Sequence, residues 1–181
     1  MDFRAETALQ VGYEGARTGG ATPQAARTIL AGHFDGEVGL SFAEDRFRVA
    51  LEGAFASGDD PTTADLNEAY DQLFPTAHAW LGLSDVMGGR TNVVTGVLHL
   101  TGKPIPQLQI NLDVHVFGRP ERGAAADNYA GTEGDLHLIW RPGAGFRARA
   151  MYALFVPNGG FFAMGTDPVH YLEVEVGYVL E

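Results

Sequence analysis

The chain predicts an all-β fold, an antiparallel up-and-down transmembrane β-barrel of eight strands with short periplasmic turns and long extracellular loops. Three observations predict it. Eight segments alternate apolar and polar side chains with the period of two that a strand imposes. The connections between them alternate between short and long, the asymmetry of barrels that cross an outer membrane. No run reaches the roughly 18 continuous apolar residues a transmembrane helix needs, although hydrophobic residues make up 45% of the chain.

The first segment, Asp2–Glu14, sets Phe3, Ala5, Leu9, Val11 and Tyr13 against Arg4, Glu6, Gln10 and Glu14. In Arg27–Phe42, Leu30, Phe34, Val38, Leu40 and Phe42 oppose Arg27, His33, Asp35, Glu37 and Ser41. In Arg46–Ser57, Phe47, Val49, Leu51 and Phe55 oppose Arg46, Arg48 and Glu52. Asn92–Thr101 sets Val94, Leu98 and Leu100 against Thr95, His99 and Thr101. Gln107–Phe117 sets Leu108, Ile110, Leu112, Val114 and Val116 against Gln109, Asn111, Asp113 and His115. Glu133–Arg141 sets Leu136, Leu138 and Trp140 against Asp135, His137 and Arg141. Phe146–Val156 sets Phe146, Tyr152, Leu154 and Val156 against Arg147 and Arg149. The last segment, His170–Glu181, opposes Leu172, Val174, Val176, Tyr178 and Leu180 to Glu173, Glu175 and Gly177.

Short turns fall at Ala43–Asp45, Gly102–Pro106 and Pro142–Gly145, and long loops at Gly15–Ala26, Gly58–Thr91, Gly118–Thr132 and Pro157–Val169. Residues 1–181 thus read as one barrel domain with both termini periplasmic. Tyr13, Trp140, Tyr152 and Tyr178 are candidates for interfacial aromatic girdles. Within Gly58–Thr91, Thr62 or Thr63 caps a predicted helix, Ala64–Phe74, that stops before Pro75. The apolar stretch after it folds over or into the barrel mouth. Ala77–Met87 is the alternative site of a ninth strand.

The formal charge of −11 argues against a nucleic-acid partner, and the absence of cysteine removes disulfides and thiolate metal sites. Lys103 is the only lysine; the other cations are arginines. Met1 runs directly into a strand-like segment, which leads us to expect a chain whose signal peptide is already removed. Leu180-Glu181 reads as a candidate cloning remnant.

Gly58-Asp59-Asp60, then Leu73-Phe74-Pro75-Thr76-Ala77-His78, Gly82, Asp85 and Asn92, resembles the long-loop motif of the bacterial alginate-export outer-membrane porin family. Lys103-Pro104 followed by Leu108–Phe117 is similar to that family as well. The resemblance implies a wide outer-membrane β-barrel of a Gram-negative bacterium that passes an anionic polysaccharide, with the lipid bilayer as its surroundings. Family members have about twice the residues and many more strands, so the chain looks like the C-terminal portion of one.

The polar face carries Arg4, Arg27, Arg46, Arg48, Arg141, Arg147 and Arg149 beside Glu6, Asp35, Glu37, Glu52, Asp113, Asp135, Glu173 and Glu175. Placed in a lumen, these long side chains should pair, since an unpaired buried charge is costly, and the guanidinium fork suits a carboxylate better than a lysine does. A structural polar core is the first reading; an arginine ladder that conducts anions, with Arg46, Arg48, Arg147 and Arg149 in the lumen, is the second. His33, His99, His115 and His137 read as ordinary lumen histidines rather than metal ligands, because ligation needs three or four donors at one depth. Asp59, Asp60 and Asp65 are weak calcium candidates, oxygen ligands without the spacing of a known loop. His78, Trp80 and Asp85 are expected to hold or gate the long loop. His78 beside Ser84 or Asp85 is the one hydrolase-like grouping, but no Gly-x-Ser-x-Gly elbow accompanies it, so no catalytic residue and no cofactor is expected.

A small porin or export-type channel for small or anionic solutes is the first functional expectation. A plugged eight-stranded barrel that anchors or adheres through its loops is the second, and a soluble lipocalin-like ligand-binding barrel the third. Alternation by itself does not say which face points inward.

Overall fold

The computed structural model describes residues 1–16, 25–73, 81–123, 125, 127–162 and 165–179. Its strands are β1 (Asp2–Glu14), β2 (Arg27–Phe42), β3 (Phe47–Ala56), β4 (Leu66–Asn67), β5 (Val93–Ile105), β6 (Leu108–Gly118), β7 (Tyr129–Gly143), β8 (Phe146–Pro157) and β9 (Val169–Tyr178). The eight long strands form one antiparallel meander in the order β1-β2-β3-β5-β6-β7-β8-β9, each paired to its neighbour in sequence. They correspond to the eight alternating segments, and β1 and β2 have the expected bounds. The register keeps like faces together across the sheet: Phe34 lies opposite Phe55, Leu51 opposite Leu98, and Leu100 opposite Leu112.

The apolar face is the bare one. Phe3, Leu9, Leu51 and Leu172 are 81%, 73%, 60% and 73% exposed, and each of the eight long strands carries large apolar side chains exposed by 38% or more. At the end of the sheet with the short turns, the outer face gathers aromatic rings: Phe42 stacks on Phe47, and Trp140 meets the edge of Phe146, which lies opposite Tyr178. Tyr13 stands near the opposite end, and the Tyr152 hydroxyl bonds His170.

The polar face is the covered one. Residues 81–92 lie on it and bury Leu81, Leu83, Met87 and Arg90. Leu81 and Met87 pack with Ala56, Val93, Phe117, Ala130 and Phe155, side chains from β3, β5, β6, β7 and β8. Leu83 packs with Met151 and Ala153.

One expectation is corrected, and one alternative is not taken up. The helix over Ala64–Phe74 does not form in the described residues 64–73, where a turn precedes the two-residue β4, paired parallel to β2 at Thr28 and Ile29, and irregular chain follows it. Its backbone groups are committed elsewhere: Tyr70 N–H donates to Ser57, and the Gln10 side chain bonds both the N–H and the carbonyl of Asp71. Of the alternative strand Ala77–Met87, the described residues 81–87 are turns and bends, not strand. β1 and β9 are the edges of the sheet, and no pairing between them is seen among the described residues.

Candidate functional site

The inner face is organised by arginines shared among carboxylates. Arg4, on edge strand β1, reaches across two strands: its guanidinium bonds Asp35 at 2.7 Å, Glu37 at 3.1 Å and Glu52 at 2.5 Å. Arg48, on β3, joins Glu37 to Asp2, and Arg90 from the loop lies 3.8 Å from Asp35. Arg149 bridges Glu173 and Glu175 of β9 at 3.0 and 2.8 Å. Alternation explains why these groups meet. Glu37 and Glu52 are register partners, and Asp35 is two residues from Glu37, so all three project from one face toward Arg4. Asp35 and Glu52 are buried and acceptor-only when ionised, which makes a shared guanidinium the group that keeps their charge tolerable.

A second cluster anchors the loop. Glu133 is fully buried, and Asp135, two residues on, is 2% exposed. Ser84 donates its N–H to Glu133 at 2.8 Å and its hydroxyl to the other oxygen of that carboxylate, while Leu83 N–H donates to Asp135 at 3.1 Å. Gly82 makes this approach possible. Its φ is +80°, and a Cβ there would lie 2.5 Å from Glu133 Oε1. Glycine alone meets both requirements at low cost.

The predicted arginines divide into two groups. Arg4, Arg48 and Arg149 are ion-paired on the inner face, and Arg27 pairs with Asp59 and Glu14 at the long-loop end of the sheet. Arg46, Arg141 and Arg147 stand exposed at the short-turn rim with Lys103, and none of the four has an ion-pair partner among the described residues. Glu6 is exposed on β1. Asp113 lies between two histidines, 2.7 Å from His99 and 3.7 Å from His137.

The histidines do not converge on one point. His33 stacks on Tyr70, and His115 stacks on Phe117 with Nε2 3.4 Å from Asp135. Among the described residues, Glu37, Glu52 and His99 form a group with metal-ligand chemistry, one ligand atom of each within 4.8 Å of the others. Arg4 already supplies the cation between the two glutamates, and His99 bonds Asp113 and Glu52 through its two nitrogens.

The calcium candidates serve the loop's own backbone and a neighbouring arginine. Asp59 accepts from Arg27 and from Glu68 N–H, Asp60 accepts from the N–H and hydroxyl of Thr62, and the Asp65 carbonyl accepts from Thr28 N–H. The two Thr62 bonds hold the Asp60 carboxyl below its ordinary value. Asp127 is lowered in the same way, by Tyr129 N–H and the Asn158 amide. His78 and Trp80 lie outside the described residues, and so does any pairing of His78 with Ser84; the Ser84 hydroxyl is turned to Glu133. Asp85 sits in a turn closed by Gly88 N–H, with φ +54°.

Sequence reading missed the roles of Glu133 and Arg90, and placed Gly82 in the loop motif without its contact to Glu133. Glu133 shares the parity of Asp135 and His137 on β7, a signal that was present. Arg90 carried none, because its place depends on how the loop folds.

The family model for alginate export matches residues 1–163, and the chain belongs to that family. No curated protein matches it.

Proposed function

We propose that this alginate-export family member is an outer-membrane export-type channel, a small porin whose lumen is the polar face and whose constriction is the loop at residues 81–92. The observation that carries this reading is the segregation of the two faces. Apolar side chains stand bare on the outside of every long strand, and charged side chains are covered on the inside. A soluble barrel requires the opposite arrangement, while a bilayer replaces water around the apolar face. The aromatic rings at the short-turn end fit an interfacial girdle. Backbone groups in lipid must all be satisfied, so β1 and β9 each take a neighbouring strand in the membrane, from the other edge or from a further chain. The resemblance adds an anionic solute or polysaccharide as permeant.

A second reading, a plugged barrel with an anchoring or adhesive role, is favoured by the bonds that fix Leu83 and Ser84 to Asp135 and Glu133. Refolding the full chain into planar bilayers tests both. Discrete current steps support the channel. Folded protein, recognised by its changed gel mobility before boiling, that inserts without current supports the plugged barrel. Folding in plain buffer without insertion would overturn the membrane reading.

A further inference from the structure

The connections at the long-loop end enclose a cleft outside the inner-face clusters. Asn92, Arg119, Glu121, Arg122, Phe161 and Phe162 line it, and its volume of 460 Å³ is that of a site for one small molecule. It lies between the β6–β7 loop, which follows Gly118, and the β8–β9 loop, which follows Pro157. Side-chain amides fix its walls. Asn92 donates to the Glu121 carbonyl at 2.7 Å and accepts from Glu121 N–H at 2.9 Å. Asn128 donates to the carbonyls of Arg119 and Pro120, and Asn158 donates to Asp127 and to the Tyr129 carbonyl. On the opposite wall, Phe161 N–H donates to the Asn158 carbonyl at 3.0 Å.

The backbone of the cleft is bonded, but its guanidinium groups are not. Arg119 is half-buried, with Cζ 4.7 Å from the centroid of the Phe161 ring. Stacking fixes the plane of the guanidinium and leaves its N–H edges free to donate. Neither the Arg119 nor the Arg122 side chain has an ion-pair or hydrogen-bond acceptor among the described residues. Arg4, Arg27, Arg48 and Arg149 are covered to a similar degree, and each is paired with carboxylates. Glu121 is the one carboxylate among the described lining residues, so two guanidinium groups leave the cleft net positive.

We propose that this cleft binds a small carboxylate carried on a ring. The guanidinium fork matches a carboxylate in two-point geometry. Phe162 meets Phe161 edge to face at 4.6 Å and gives the ring of the ligand an apolar neighbour. The site stands whether or not the lumen conducts.

The test is isothermal titration of the full chain, folded in detergent micelles, with the heat of micelles alone subtracted. Benzoate and cyclohexanecarboxylate bind one per chain, and acetate binds about tenfold more weakly because it buries no ring. Arg119→Gln weakens benzoate about tenfold, as the loss of a hydrogen bond to a charged group requires. Arg122→Gln, at an exposed position where folding is not at stake, weakens it several-fold. Arg46→Gln, at the opposite rim, leaves binding unchanged. Folded protein that binds neither ring acid, acetate that binds as well as benzoate, or a loss with Arg46→Gln equal to that with Arg122→Gln would overturn the proposal. Insertion into bilayers without current would overturn the channel reading and leave this site standing.

Discussion

Replacing Ser84 by alanine isolates the bond that holds the loop on the inner face. The hydroxyl donates to Glu133, a fully buried carboxylate with no guanidinium partner among the described residues. A hydrogen bond to a charged group contributes about 1.5–3 kcal/mol. The two backbone donors, Leu83 and Ser84 N–H, remain, so the loop still docks and the equilibrium for lifting it shifts. At about 1.4 kcal/mol per tenfold, opening becomes roughly 10- to 150-fold more frequent. Hydrogen exchange reads this directly. The amides of Leu83 and Ser84 donate to side-chain carboxylates and to no strand, so they exchange when the loop lifts. Strand amides such as that of Phe155, in the β7–β8 ladder, report global opening instead. The expected result is faster exchange at Leu83 and Ser84 with Phe155 unchanged. A change below about threefold, equivalent to roughly 0.6 kcal/mol, would refute the idea that this bond latches the loop. Gly82→Ala should act in the same direction, since it sets a Cβ against Glu133 at a left-handed φ.

Other consequences follow from the same geometry. Arg4→Met should destabilise the folded protein by about 3–5 kcal/mol by leaving buried carboxylates without their cation, and Arg4→Lys should restore only part because one ammonium does not reproduce the fork; urea unfolding in detergent measures both. Glu44→Gly should stabilise by about 1 kcal/mol, because Glu44 holds φ +57° in the β2–β3 turn; an unchanged unfolding midpoint would count against strain there. Leu51→Arg, on the bare face of β3, should cost about 2–4 kcal/mol in a bilayer if it lies near the midplane and almost nothing in a protein that folds in water, so refolding yield into vesicles separates the two surroundings. The Asp127 carboxyl is depressed by bonds that favour its charged form. Its contribution to holding Tyr129 and Asn158 is therefore present above the ordinary carboxylate value and lost as pH falls through the lower folded value. Exchange at Tyr129 N–H should accelerate in that acid range, and Asp127→Asn should remove the pH dependence.

The strands were legible because period two is a local property. In β1 and β2 each side chain's face follows from its neighbours two residues away, and the bounds fall where expected. Errors entered where distant backbone decided the conformation. Residues 64–73 look helical by composition and capping, but the N–H groups of Tyr70 and Asp71 bond Ser57 and Gln10, partners no local pattern announces. The loop anchor joins Leu83 to Asp135 across 52 positions, and only their meeting gives Glu133 its role. The arginine pairing was foreseeable from residue chemistry alone, since long cations and carboxylates of one parity must meet if that face is covered. Arg46, in the β2–β3 turn, and Arg141 and Arg147, beside the β7–β8 turn, escaped it, standing exposed at the rim with no ion-pair partner among the described residues.

Which face is covered is the question alternation leaves open, and one segment answers it. Residues 81–92 could have packed on the apolar face, where Leu81, Leu83 and Met87 would find leucines and valines on every strand. They lie instead on the polar face, over apolar positions that this face holds among its charges, including Ala56, Val93, Phe117, Met151, Ala153 and Phe155. Gly82 and Ser84 fit Glu133 with a closeness that the outer face has no carboxylate to offer. The loop thereby buries charge beneath itself and leaves exposed apolar side chains on the other face of all eight long strands, the kind of continuous patch that marks an interaction surface. Such a surface is tolerable only against lipid or another apolar partner, and its spread over all eight long strands favours lipid.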